Sequence, residues 1–161
     1  MKAATVHELK EELKHQSAAQ LLELCSRLAR FKKENKELLT YLLFEAQDEQ
    51  AYIKSVKDYI DIQFEEIPEG NSLYLVKKSL RKILRHVNKY IRYTGSKTVE
   101  IQLLLYYCGK LKESEIPIRK STALTNIYQT QLKKIGKVLP TLHEDLQYDY
   151  QQKLELLSTP L

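Results

Sequence analysis

The chain has 161 residues, of which 43% are hydrophobic and 29% charged, and a formal net charge of +5. That is enough apolar material for a single domain over residues 1–161, and it excludes a disordered, highly charged tail. Four glycines and four prolines among abundant Leu, Glu, Lys and Gln argue against a turn-rich sheet protein and for an all-α fold.

A first helix is expected to begin near residue 6 and a second near 18. Thr5 with Glu8, and Ser17 with Gln20, fit the capping box, in which a hydroxyl accepts from the helix N-terminus while the acid or amide reaches back to the cap. The second helix carries Leu21, Leu22, Leu24, Cys25, Leu28 and Phe31 on one side and runs into the charged KKENK of 32–36, where a short break capped by Asn35 is expected. The stretch TVHELKEELKHQSAAQLLELCSRL at 5–28 resembles the SAP motif, a short two-helix DNA-binding element. The likeness covers less than a fifth of the chain and lacks the glycine of the inter-helix turn, so no function is drawn from it.

From Lys36, the residues Leu39, Ala46, Ile53, Ile60 and Ile67 recur every seventh position, with Leu42 and Val56 between them. This period predicts one long helix of about 45 Å at the helical rise, with a bend at the polar QDEQ of 47–50 and a stop at Pro68 and Gly70. Ser72 caps the next helix, which runs to Thr94 and closes on Gly95, a residue suited to the left-handed conformation. The following helix starts at Ser96 or Thr98, and its centre, VEIQLLLYYC, is apolar nearly all round, which places it inside the fold.

Pro117 makes ESEIPIRK a loop. Ser121 or Thr122 then caps a helix with Leu124, Ile127, Tyr128, Leu132, Ile135 and Leu139 as its apolar stripe, ended by Pro140. Thr141 with Glu144 reads as a third capping box before a last helix through Leu142, Leu146, Tyr150 and Leu154, with a fraying STPL tail. The architecture expected is about seven helices in stacked antiparallel hairpins, as a helical bundle or a short α-solenoid-like array.

Little catalytic chemistry is spelled out. The four histidines, His7, His15, His86 and His143, are scattered without metal-ligand spacing, and the glycines are too isolated to cradle a phosphate, so no metal, cofactor or catalytic residue is expected. Cys25 and Cys108 lie far apart in apolar runs, which fits buried thiols in a reducing compartment better than a disulfide. No stretch reaches the roughly 18 apolar residues of a membrane span, and the N-terminal MKAATVHELKEELKHQ lacks the apolar segment of a secretory leader. A soluble, cytoplasmic protein without membrane contact is expected.

Tyrosine is over-used, with eleven against three phenylalanines and no tryptophan. Tyr90, Tyr93, Tyr106 and Tyr107 fall close together along the chain, either as the rim of a helical core or as the lining of a groove.

The strongest feature is LVKKSLRKILRHVNKYIRYTG at 75–95, with seven Lys or Arg and no acid. At 100° per residue, Leu73, Val76, Leu80, Ile83, Leu84, Val87 and Ile91 make one stripe, and Lys78, Arg81, Lys82, Arg85, Lys89 and Arg92 lie opposite it. An ordinary solvated face alternates signs, because like charges four apart repel. Two readings stand. The acids of 45–69, a net −6, answer the charge within the fold, with Asp61 near Lys78 and Asp58 near Arg81. Otherwise the stripe, with Tyr93 at its end, binds nucleic acid or an acidic protein. A membrane-surface helix fits less well, since the apolar face is needed for the core. The expectation is a non-enzymatic helical interaction protein with a macromolecular partner, the alternative being a sequence-nonspecific nucleic-acid-binding protein that uses the basic face of residues 72–94. The oligomeric state is left open.

Overall fold

The computed structural model describes residues 2–67, 70 and 72–159, and among them there are eight α-helices and no strand. By its contacts the chain divides into two compact units, Met1–Phe44 and Glu45–Leu161. The Pro68 stop and the Pro160–Leu161 end of the tail lie outside the described residues.

The first unit holds α1 (Val6–Lys14), α2 (Ala18–Phe31) and α3 (Lys33–Thr40). Both expected capping boxes are formed: the Thr5 hydroxyl accepts from the Glu8 amide at 3.3 Å, and the Ser17 hydroxyl from the Gln20 amide at 3.3 Å. The break between α2 and α3 falls at Lys32, which caps α3 without a side-chain bond. Asn35 is not the cap. It sits inside α3, and its amide donates to the Leu28 carbonyl at 2.9 Å, satisfying an orphan acceptor at the end of α2. α2 packs against α3. Among the unit's described residues Tyr41 is the only buried hydrophobic side chain. The Leu24, Leu28 and Phe31 side of α2, which looked like a core face, is exposed, because no element of the unit lies over it.

The single long helix expected from residue 36 is two helices. A π-helical turn, Tyr41–Glu45, follows α3, and Asp48 then starts α4 (Glu49–Glu65) afresh by accepting from the Ala51 amide at 2.9 Å. The extra start raises the helix count from seven to eight.

The second unit is built around α6 (Lys97–Glu113), which packs against α4, α5 (Leu73–Thr94), α7 (Thr122–Val138) and α8 (Glu144–Ser158). Ile101, Leu103, Leu104, Tyr107, Cys108 and Leu111 of α6 have no exposed surface, as its all-round apolar sequence requires. α5 lays Val76, Leu80, Ile83, Leu84, Val87 and Ile91 into the core and closes on Gly95 at φ 63°. α7 buries its whole expected stripe, and Pro140 sits in a 3-10 turn, Leu139–Thr141, that ends it. Thr141 does not cap α8, since its hydroxyl donates back to the Val138 carbonyl; His143 takes the place, with Nδ1 accepting from the Asp145 amide at 3.4 Å.

One acid is buried in this core. Glu100, 7% exposed, is held by Lys97 at 2.9 Å and by Lys134 of α7 at 3.0 Å. Lys134 also donates to the Asn88 amide oxygen at 2.9 Å, so this knot ties α5, α6 and α7 together.

Candidate functional site

The site begins with the two faces of α5. The Ser72 hydroxyl caps its start and Gly95 its end, and between them the apolar residues alternate with basic ones at helical spacing. Burying the apolar stripe forces the other side of the helix outward. Lys78, Arg81, Lys82, Arg85 and Arg92 are all exposed, while Lys89 is half-buried with its ammonium 5.2 Å from the centre of the Tyr90 ring. From Lys78 to Arg92 the stripe runs about 21 Å at the helical rise.

The described acids that were to answer this stripe form no ion pair with it. Among the described residues no ion pair joins Lys78, Arg81, Lys82, Arg85 or Arg92 to an acid. Asp61 is turned toward α6 instead. It accepts from Lys110 at 2.8 Å and from the Tyr106 hydroxyl at 2.7 and 2.9 Å. The reason is the side on which α4 meets each neighbour. The flank facing α5 is aromatic: the Tyr52 hydroxyl donates to the Tyr90 carbonyl at 3.1 Å, and Tyr59 packs edge-on to His86 and Tyr90, with ring centres 5.7 Å apart in each pair. Asp61 lies on the other flank, about 160° round α4 from Tyr59 at 100° per residue.

Tyr93 is half-buried and packs edge-on to Tyr90 at 6.2 Å, so it belongs to this aromatic flank rather than to the basic stripe. The four tyrosines that cluster in the sequence do not converge. Tyr107 is fully buried and donates to the Leu80 carbonyl at 3.4 Å, while Tyr106 faces Asp61 and Lys57. An aromatic residue that the sequence reading passed over does lie on the stripe. Tyr74, 66% exposed, falls at the same helical angle as Arg92, and the Lys77 ammonium sits 5.3 Å from its ring centre. Its signal was available: an aromatic on the polar side of an amphipathic helix, where no core claims it.

The first unit carries a second cationic surface, a concavity of about 600 Å³ at the α2–α3 junction lined by Ser26, Arg30, Lys32, Lys33, Lys36 and Leu39. Lys33 has a weak partner in Glu37 at 3.8 Å.

The groups with shifted proton affinity are locked away from neutrality. Burial tends to raise the Asp61 carboxyl, but the bonds from Lys110 and Tyr106 and the Lys110 charge outweigh it and hold Asp61 below the usual carboxylate range. Burial, then the bond to Asp61, pushes Tyr106 up to about 12, and burial with the neighbouring Tyr90 does the same for Tyr59. None of these groups exchanges a proton near pH 7, so they make poor acid–base catalysts there. A groove of about 550 Å³ beside this cluster, between α4, α6 and α8, is lined by Lys57, Tyr106, Gly109, Lys110, Tyr150 and Lys153. Among the described residues no three His, Cys, Asp or Glu side chains stand close enough to hold a metal ion. Nor is any helix among them long and apolar enough to cross a membrane. Both cysteines are free; Cys108 is buried, whereas Cys25 is exposed, contrary to expectation, because it lies on the uncovered side of α2. No family model, curated protein or solved structure matches the chain, so the SAP-like stretch has no matching family behind it.

Proposed function

We propose that the chain is a non-enzymatic, cytoplasmic nucleic-acid-binding protein that grips the phosphate backbone of a single strand with the basic face of α5. The observation that carries this reading is the group of five exposed cations, Lys78, Arg81, Lys82, Arg85 and Arg92, left without an acid partner among the described residues although an acidic helix precedes α5. Holding like charges at helical spacing destabilises the isolated helix, and a polyanion removes that cost by replacing counterions along the stripe. Tyr74 supplies an aromatic platform at the N-terminal end, and stacking on it is open to any base, which suits a sequence-tolerant single-strand binder. The mixture of Lys and Arg matches phosphate contact rather than base readout. The free thiols of Cys25 and Cys108 fit a reducing compartment.

The experiment is fluorescence anisotropy with labelled single-stranded and duplex oligonucleotides of several sequences. The expected result is sequence-independent binding that favours the single strand and weakens by about fivefold or more in Tyr74→Ala, from the roughly 1–3 kcal/mol of one base–aromatic stack. Equal binding by wild type and Tyr74→Ala would remove the stacking role, and no binding at low salt would remove the reading altogether. A second reading, contact with protein, is favoured by the apolar side chains left exposed along residues 6–44.

A further inference from the structure

The concavity at the α2–α3 junction is cationic like the face of α5 but differs from it in shape. Arg30 lies in the last turn of α2, Lys32 forms the break, and Lys33 and Lys36 open α3, so the turn of the chain gathers four cations round one hollow. All four are exposed, and Ser26 adds a hydroxyl to the lining. Among the described residues no ion pair joins Arg30, Lys32 or Lys36 to an acid, and Lys33 meets Glu37 at a distant 3.8 Å. The arrangement carries two penalties. Lys33 and Lys36, three apart, are like-charged neighbours on the helix surface. Lys32 at the cap and Lys33 at the first position of α3 also stand at the positive end of the helix dipole, which disfavours cations. Glu34 shares that turn but lies about 160° round the helix from Lys36 at 100° per residue.

We infer that the hollow is a binding site for a compact oligophosphate, a short run of linked phosphates that is either free or the phosphate end of a nucleotide. Such an anion removes both penalties at once, because it faces every cation of the lining. Phosphate fits better than carboxylate: linked phosphates gather several charges on adjoining oxygens, whereas the carboxylates of an acidic peptide carry one charge each on separate side chains. Arg30 offers a planar fork and the lysines mobile ammoniums, and both hold phosphate oxygens. Shape separates the hollow from the stripe of α5. The stripe is linear, as an extended strand requires, whereas a concavity of about 600 Å³ lies within the roughly 300–1,000 Å³ of small-ligand sites. The site uses no residue of the α5 face and stands whether or not that face binds nucleic acid.

Isothermal titration calorimetry of the full chain with inorganic tripolyphosphate, at about 0.1 M salt to screen long-range charge effects, tests it. The wild type should bind tripolyphosphate saturably. The combined variant Arg30→Gln, Lys32→Gln, Lys36→Gln, at three exposed positions, should weaken binding by about 3-fold to 150-fold, the range for three exposed cation–anion contacts. Lys32→Gln alone, between the two helices and so without effect on either, should weaken it by up to about fivefold. The variant Lys78→Gln, Arg85→Gln, Arg92→Gln on α5 should bind tripolyphosphate as the wild type does. A nucleoside triphosphate titrated in the same way names the source: tighter binding than tripolyphosphate assigns the site to nucleotides, and equal or weaker binding assigns it to the phosphate chain alone. Absence of tripolyphosphate binding by the wild type would overturn the inference. So would binding that survives in the hollow variant and is lost in the α5 variant. A hollow variant that loses as much affinity for a single-stranded oligonucleotide as for tripolyphosphate would overturn it too, since the hollow would then be part of a strand-binding surface.

Discussion

Glu100→Gln keeps the shape of a buried side chain, removes its charge and turns one of the two acceptor oxygens that the lysines use into an amide donor, so its effect reports on the ionic knot between α5, α6 and α7. In the wild type the buried Glu100 side chain meets Lys97 at 2.9 Å and Lys134 at 3.0 Å. Hydrogen bonds to charged groups contribute about 1.5–3 kcal/mol each, and stranding a buried charge costs about 3–5 kcal/mol. Here the lysines keep 57% and 37% of their side-chain surface, so after the substitution they turn to water and the larger figure does not apply. The expected loss is about 2–3 kcal/mol at pH 7, a fall in Tm of about 4–12 °C for a chain of this size. The effect also carries a pH signature. Burial alone would raise the Glu100 carboxyl, but the bonds and charges of Lys97 and Lys134 more than offset it and hold it below its usual value of 4.5. A group whose folded pKa is depressed contributes stability above its unfolded pKa and loses it as pH falls through the folded one. The gap between wild type and Glu100→Gln should therefore be full at pH 6–7 and close below about pH 4.5. Thermal melts followed by circular dichroism from pH 7 to pH 3 measure it. A variant that melts with the wild type at pH 7, or a gap that is constant with pH, would refute the reasoning.

Leu104→Ala removes a side chain with no exposed surface at the centre of α6 and should cost about 2–5 kcal/mol by urea titration, while Leu104→Asp should not fold. Wild-type stability in either variant would place α6 outside the core. The Cys108 thiol, pushed up to about 12 by burial, should resist alkylation at pH 8 until the protein is unfolded, counted by mass spectrometry as one modified cysteine in buffer and two in denaturant. Modification of Cys108 in buffer would mean that the core opens far more readily than its packing allows.

Features settled by neighbouring residues were legible in the sequence. The caps at Thr5, Ser17 and Ser72 and the closure at Gly95 are local chemistry and stand where the sequence places them, and Ser96 and Ser121 are in each case one of the two caps the sequence offers. The two faces of α5 and the enclosure of α6 follow from period and composition alone. Local signals failed where two groups compete for one role. At the start of α8 the Thr141 hydroxyl has the Val138 carbonyl within reach after the Pro140 turn, and His143 caps the helix instead. A seven-residue period reports phase rather than continuity, so Leu39 and Ile53 keep step across a break that Asp48 creates. Which flank of α4 meets α5 depends on helix crossing, and that decision sent Asp61 to Lys110 and left the basic stripe without it. The α2 stripe shows the same limit, since spacing reveals an apolar face but not what lies across from it.

The basic stripe is the centre of the functional account, and a salt titration of nucleic-acid binding tests it most directly. Wild type and the triple variant Lys78→Glu, Arg85→Glu, Arg92→Glu are compared on one single-stranded oligonucleotide. All three positions are exposed, so the helix content and melting temperature of the variant should match the wild type. With five phosphates neutralised on a single strand, log affinity against log salt should fall with a slope of about −3.5 for the wild type, and both affinity and slope should collapse in the variant. A folded triple variant that binds with wild-type affinity and slope would contradict the account, and so would a variant that unfolds, because the stripe would then be structural.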